Sequence, residues 1–384
     1  MHSMTQEQTL VIGGVDAHAD THHAAALDAR GGLLGSRGFP ATSAGYRDLL
    51  GWLESFGQLG TVAVESTSSY AAGLTRYLRA RAVPVVEVNQ PHAYTRRQQG
   101  KSDPIDAQMA ARRFLAGEAT GLPKQTDGVV ESIRMLRVAR SGAVKARTAA
   151  LLQARDLITT APQELREQIT IRKTLRARLN ICKRFRPTVS ELRSPTQAAK
   201  LALRTIAQRV TSLDQEIAAL DDQLESLVKA AAPRTTSLLG ISTGHGGQFL
   251  VTAGQNIDRL TKESSFAALC GSSPIKASSG KTNRHRLNPG GDRQANRALH
   301  LIAVYRLGCC PRTHAYAKRR TKEGKSNADI IRCLKRAIAR EVYHALRADL
   351  ADLAAQTLPL PKPADPYTAI LCGNPTIGVT RKRA

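Results

Sequence analysis

Four carboxylates in the first third of the chain stand where apolar segments end or a helix begins. Asp16 closes the run Leu10-Val11-Ile12-Gly13-Gly14-Val15, and Glu65 closes Val62-Ala63-Val64. Asp103 and Asp106 follow in Ser102-Asp103-Pro104-Ile105-Asp106, at the opening of a stretch with helical periodicity. Hard divalent cations take oxygen ligands, and two ions about 3.5–4 Å apart can clamp the attacking and leaving oxygens of a phosphodiester. The expected chemistry is phosphoryl transfer supported by Mg²⁺ or Mn²⁺.

The elements that must position these acids are legible from patterning. Residues 9–16 read as a strand, followed by strands near 22–28 and 33–38 across the turn Ala29-Arg30-Gly31-Gly32. An amphipathic helix carrying Leu49, Leu50 and Leu53 precedes a strand at Thr61–Glu65; a helix over 70–81 and a strand at 84–88 come next. Three strands and then alternating helix and strand is the order of a ribonuclease-H-like α/β sheet. It puts Asp16 on the first strand, Glu65 on the fourth, and Asp103 and Asp106 three apart on one helical face. Any one of these acids alone is equally a solvated strand end or a helix cap; their joint order favours metal. Glu87 within a strand and Asp20 in a loop are set aside. His18 and His22 are four apart, but strand alternation turns His22 and His23 to opposite faces and no cysteine is near, so zinc is not expected.

Charge separates the chain into unlike parts. Lys and Arg number 56 against 31 acids, a formal net charge of +25. Residues 1–125 hold 12 basic and 11 acidic residues, so +24 of the excess lies beyond residue 125. A polyanionic partner is expected for that part. Six cysteines without a CxxC pair argue against a zinc knuckle or a disulfide framework. No apolar run approaches the roughly 18 residues of a membrane span, and the amino terminus lacks the form of a signal peptide, so a cytoplasmic, nucleoid-associated protein is expected.

From about 128 to 232 the sequence is helical and basic. Arg134, Arg137, Arg140, Lys145 and Arg147 ride on a first arm that Pro162 interrupts. A second arm carries Ile206, Val210, Leu213, Ile217, Leu220, Leu224 and Leu227, alternating four and three as in a coiled-coil seam. That seam suits either pairing between chains or a hairpin against the first arm. Around Leu238–Gly244 a glycine turn between short helices resembles a helix-hairpin-helix. The stretch 281–297 is basic and glycine-turned, with Arg284, Arg286, Arg293, Asn296 and Arg297, and a last helix starts near Ser326. Residues 357–384, with five prolines, read as a tail.

The ordered motifs Gly14-Val15-Asp16, Val64-Glu65-Ser66, Lys101–Ala107, Gly271-Ser272-Ser273-Pro274 with Ser279-Gly280, Gly290–Leu299 and Arg319–Ser326 resemble the insertion-sequence-110 family of transposases over roughly residues 9–350. The resemblance implies a RuvC-like domain (1–125) whose acidic tetrad is Asp16, Glu65, Asp103 and Asp106. A basic coiled-coil spacer (126–232) and a mainly α carboxy-terminal transposase domain (233–356) follow, with a tail at 357–384. The matching serine nucleophile is Ser279, beside Ser278. Implied partners are donor and target DNA, a structured non-coding guide RNA from the same element, and further copies of the chain as a dimer or tetramer. Two rival readings stand beside this one: a metal-dependent nuclease for Holliday-type junctions using only the carboxylates, and a nucleic-acid-binding protein without catalysis. Ser279 separates the first rival, since water suffices as its nucleophile.

Overall fold

The structure is a computed structural model that describes residues 9–65, 67–88, 102–119, 121–278, 280, 285–286 and 288–356. It divides into two compact units, residues 1–131 with 249–384 and residues 132–248.

The first unit opens with a five-stranded sheet. The strands are β1 (Leu10–Ala17), β2 (Thr21–Asp28), β3 (Leu33–Pro40), β4 (Gln58–Glu65) and β5 (Val85–Val88), in the order β3-β2-β1-β4-β5. β1 pairs antiparallel with β2 and parallel with β4, so the sheet is mixed, as the strand order predicted. Its centre is apolar on both faces, because helices cover both. Val11, Val15, Val62 and Val64 face α1 (Ser43–Glu54) and α2 (Ala72–Arg79), which contribute Leu49, Leu53, Leu74 and Leu78. Ile12, Ala63, Val86 and Val88 face α3 (Asp103–Leu115) through Ala107, Ala110, Ala111 and Phe114. Phe114 is fully buried, and burial of one such side chain is worth about 1.5–3 kcal/mol.

α3 sits unusually close to β1, and Gly14 is the reason. A Cβ at Gly14 would stand 2.8 Å from the Ala111 amide nitrogen and 2.9 Å from the Ala111 Cβ, and closer still to the Ala107 carbonyl oxygen. Glycine on the strand and alanines on the helix allow the two backbones to approach.

The carboxy-terminal part of this unit is helical: α10 (Glu263–Leu269), α11 (Arg293–Cys309), α12 (Pro311–Lys322) and α13 (Asn327–Gln356), with a two-stranded hairpin β6 (Ile275–Lys276) and β7 (His285–Arg286). Segment 122–130 fastens it to the amino-terminal part. Lys124 Nζ donates to Val251 O (3.1 Å), Asn256 Nδ2 to Pro123 O (3.1 Å) and Arg259 Nε to Leu122 O (2.8 Å). Ser326 caps α13: its hydroxyl donates to Asp329 and accepts from the Asp329 amide.

The second unit is a helical arm. α4 (Val129–Thr160) runs out into it and α7 (Pro195–Ala231) returns, with α5 (Gln163–Thr170) and α6 (Leu175–Cys182) between them, and α8 (Pro233–Ser237) and the start of α9 (Thr243–Ala253) beyond. Pro162 stands at the α4–α5 break, as its missing amide requires. The pairs Arg140–Asp221 and Arg147–Asp214 (2.9 Å) fix α4 and α7 as an antiparallel hairpin. Of the heptad positions, Ile206, Val210, Ile217 and Leu224 are buried within the chain, whereas Leu213, Leu220 and Leu227 are half-buried. The intramolecular alternative thus accounts for one edge of the seam. The arm leaves and rejoins the same unit, so the acid-bearing and carboxy-terminal parts belong to one compact unit.

Candidate active site

The parallel register Val15↔Val64 sets the next residues, Asp16 and Glu65, side by side at the carboxyl ends of β1 and β4. Alternation puts both on the face that carries Ile12, Gly14 and Ala63, the face covered by α3. On α3, Asp103 and Asp106 lie in the first turn, and Ala107, Ala110, Ala111 and Phe114 continue the same stripe into the sheet. The close seat at Gly14 therefore brings the amino end of α3 to the ends of the strands.

Asp16 is 7 % exposed, and its Oδ2 has no hydrogen-bond partner. Burial pushes its carboxyl above the ordinary carboxylate range; His18 opposes that shift, and the charges of Asp106 and Asp103 add to it. A site of this kind favours a cation over a proton-free, empty carboxylate cluster.

His18, which the reading for zinc discounted together with His22, belongs here. The β1–β2 turn, closed by the His18 amide donating to Thr21 O (2.9 Å), swings its ring over the strand end. Its Nε2 lies 3.2 Å from Asp16 Oδ2 and 3.3 Å from Asp103 Oδ1, and it too is enclosed without a hydrogen-bond partner. One ligand atom from each of Asp16, His18 and Asp103 falls within 4.8 Å of the others. The available signal was the spacing Asp16-Ala17-His18, a ligand type two residues beyond an acid. His22 and His23 do not join it: His22 is buried and stacked on Tyr46 (5.5 Å between ring centroids), and His23 bonds Ser36 Oγ (2.8 Å).

The buried oxygen of Asp16 and the nitrogen of His18, each facing the other and Asp103, fit a divalent cation. The charge of Asp106 acts on Asp16, and the strand register sets Glu65 next to it. Glu87 is occupied elsewhere, accepting from Thr67 Oγ1 (2.6 Å).

Of the other anticipated residues, Ser279 and Arg284 lie outside the described residues. Ser278 and Arg286 are exposed, as are Arg293 and Arg297 on α11. Asn296 is committed inside the fold, donating to Cys270 O (2.9 Å) and Gly271 O (2.8 Å). On α4, Arg134 and Lys145 are exposed, Arg140 and Arg147 pair with Asp221 and Asp214, and Arg137 donates to Gly244 O (2.8 Å) and Gln248.

Two family models cover the chain in the same order as these structural parts. Residues 13–161 match the DEDD transposase model of IS110 elements, and residues 232–318 match the model described as transposase, IS116/IS110/IS902 family. The chain belongs to the IS110 family of transposases. The IS110-type DEDD match takes in all four carboxylates, and the second match takes in the Gly271–Pro274 turn and α11. A curated relative is the uncharacterized 43.6 kDa protein of insertion element IS110 from Streptomyces coelicolor, 26% identical over 155 residues. That similarity spans 40% of this chain and 38% of the relative. Among the described residues of this IS110-family chain, no helix is long and apolar enough to cross a membrane.

Proposed function

We propose that this chain is a DNA transposase of the recombinase type, which cleaves and exchanges strands with a metal-binding acid cluster and a serine nucleophile. The observation that carries the reading is the convergence of Asp16, Asp103 and Asp106, with Glu65 at the matching register, on one edge of the sheet, where Asp16 and Glu65 are buried. In this reading Asp16, Glu65, Asp103 and Asp106 hold Mg²⁺ or Mn²⁺, and His18 supplies a nitrogen beside them. The bound cations supply neutralisation of phosphate charge and polarisation of its oxygens. Asp16 and Asp103 would hold a cation at the strand ends, and the apolar floor of Ile12, Ala63 and Ala107 excludes water beneath them. Ser279 Oγ forms a phosphoester with the cleaved strand as a DNA hydroxyl leaves, and strand exchange reverses that bond on a second end.

The remaining parts of the reading follow the family resemblance and the charge. A structured guide RNA from the same element selects donor and target, copies of the chain assemble as a dimer or tetramer, and the +24 beyond residue 125 grips both nucleic acids. The protein works in the cytoplasm at the nucleoid. Denaturing electrophoresis of reactions with labelled element ends tests the chemistry: Ser279→Ala abolishes both cleavage and the protein–DNA adduct while RNA binding persists. An adduct lost in Ser278→Ala and retained in Ser279→Ala moves the nucleophile by one residue. Cleavage retained in both variants without an adduct replaces this reading with a carboxylate-only junction nuclease. Sequencing the RNA that copurifies with the protein tests the guide, and recovery of random cellular RNA refutes it.

A further inference from the structure

The carboxy-terminal part of the first unit holds a cavity of about 770 Å³ between the Gly271–Pro274 turn, the β6–β7 hairpin and the first turns of α13. Five cationic side chains line it, Arg286, Lys325, Arg332, Lys335 and Arg336, against one carboxylate, Asp329. Arg332, Lys335 and Arg336 form a single stripe on α13 by their spacing of three and four. Arg332 pairs with Asp329, and Arg336 with Glu263 outside the lining.

Lys335 is the decisive residue. It is 6 % exposed, an uncommon degree of burial for a lysine, and the partner its ammonium finds is neutral: it donates to Asn296 Oδ1. Asn296 in turn holds Cys270 O and Gly271 O, so the wall of the cavity and its buried charge are tied through one amide. Burial, and then the neighbouring Arg332, lower the lysine's pKa from its ordinary value. An ammonium enclosed beside guanidinium groups, with no carboxylate bonded to it among the described residues, is stabilised by an anion entering from the open side. The turn facing it is joined, within a few residues of chain, to Ser278-Ser279, whose proposed substrate is DNA.

We infer that this cavity seats a backbone phosphate of DNA, with Lys335 at its base and Arg286, Lys325 and Arg332 at its mouth. The inference rests on the nucleic-acid reading above and adds residues of α13 that no motif singled out. Phosphate carries the charge that five cations lack, and exposed lysine and arginine at the mouth suit a polymer that extends beyond the seat.

Fluorescence anisotropy of the full chain with a fluorescein-labelled random-sequence duplex, titrated over salt, tests it. Lys325→Ala/Arg332→Ala removes two exposed cations and leaves the buried framework intact. It is expected to weaken binding about 8-fold at 0.1 M salt and to flatten the slope of log K against log salt by about 0.9, one phosphate. Lys335→Met is expected to do the same, and Arg30→Ala, exposed on the β2–β3 turn in the near-neutral part of the chain, to leave both quantities near wild type. Cavity variants that match Arg30→Ala, on a wild type that binds with a steep salt slope, overturn the seat and leave the broader reading standing. A wild type without salt-dependent binding overturns both. A loss confined to a labelled single-stranded RNA, with duplex binding unchanged, overturns the assignment to DNA.

Discussion

Gly14→Ala tests whether the approach of α3 to β1 is what assembles the acid cluster. Ordinary van der Waals contact begins near 3.4 Å, and the added methyl would meet the Ala111 amide nitrogen at 2.8 Å and the Ala111 Cβ at 2.9 Å. The obstacles are helix backbone and a Cβ, which cannot rotate aside, so α3 must retreat by on the order of 1 Å or β1 must bend. Overpacking of this kind costs typically 1–3 kcal/mol, and a clash with backbone belongs at the upper end. The retreat carries Asp103 and Asp106 away from Asp16 and Glu65, and a 1 Å misplacement of catalytic groups can cost about 10²-fold in rate. Gly13→Ala is the matched control on the opposite face. Its methyl meets the Leu53 Cδ1 at 2.9 Å, a side-chain tip that can yield, so a cost below about 1.5 kcal/mol is expected. Urea unfolding followed by circular dichroism reads the stability, and Mn²⁺ titration by electron paramagnetic resonance reads the cluster. If Gly14→Ala unfolds at the Gly13→Ala midpoint and binds Mn²⁺ like wild type, the close seat of α3 does not position the acids.

Asp16→Ala, Glu65→Ala and Asp106→Ala are each expected to lower strand cleavage at least 10²-fold while duplex binding, read by anisotropy, holds or tightens as local negative charge falls; full cleavage in EDTA refutes the metal reading. His22 is buried against Tyr46, and burial depresses its pKa from the ordinary 6.5. Its contribution to stability is therefore full above about pH 6.5 and is lost as pH falls through the lower folded value, by at most about 2 kcal/mol between pH 6.5 and 5. His22→Phe keeps the stack and should flatten that loss in urea midpoints; an unchanged pH dependence shows that another group titrates. Leu213→Asp places a charge on the half-buried edge of the arm, and lower mass by light scattering with helicity intact is expected if that edge joins subunits. Unchanged mass removes the edge from the assembly.

What the sequence disclosed and what it hid divide by the range of the contacts involved. The strands that carry Asp16 and Glu65 are short apolar runs closed by an acid, and their order alone specified the sheet, because buried strands on both faces leave few topologies. The helix at Asp103 announced itself through Pro104 and the i,i+3 acids. Gly14 as a helix seat was not legible, since only the partner backbone of Ala107 and Ala111 gives it meaning. His18 was discounted because periodicity compared it with His22, whereas the β1–β2 turn takes it out of the strand pattern and aims it at Asp16 and Asp103. The heptad on α7 was visible in full, but its partner was not: an apolar stripe states that a face is covered and leaves open by what. Asn296 lies in a basic stretch whose charge points to nucleic acid, yet its amide is spent on Cys270, Gly271 and Lys335, the last almost forty positions away.

The charge pattern also constrains how such a protein can hold its substrate. An edge carrying Asp16, Glu65, Asp103 and Asp106 repels a phosphodiester, and at 4 Å each like-charge pair costs about 4 kcal/mol at an effective dielectric near 20. Cations held there, as proposed, would reverse that sign locally, with an affinity limited by the ligands that the edge offers. The residues beyond 125 carry their +24 without any such dependence. On the proposed reading, grip and chemistry fall to different parts of the chain: arginines and lysines would hold nucleic acid whether or not metal is present, and the acid edge would admit a phosphate only once its own charge is matched. A uniformly basic protein would bind as well but would have no means of holding cations. One with the acids and no basic excess would be left to find DNA against repulsion.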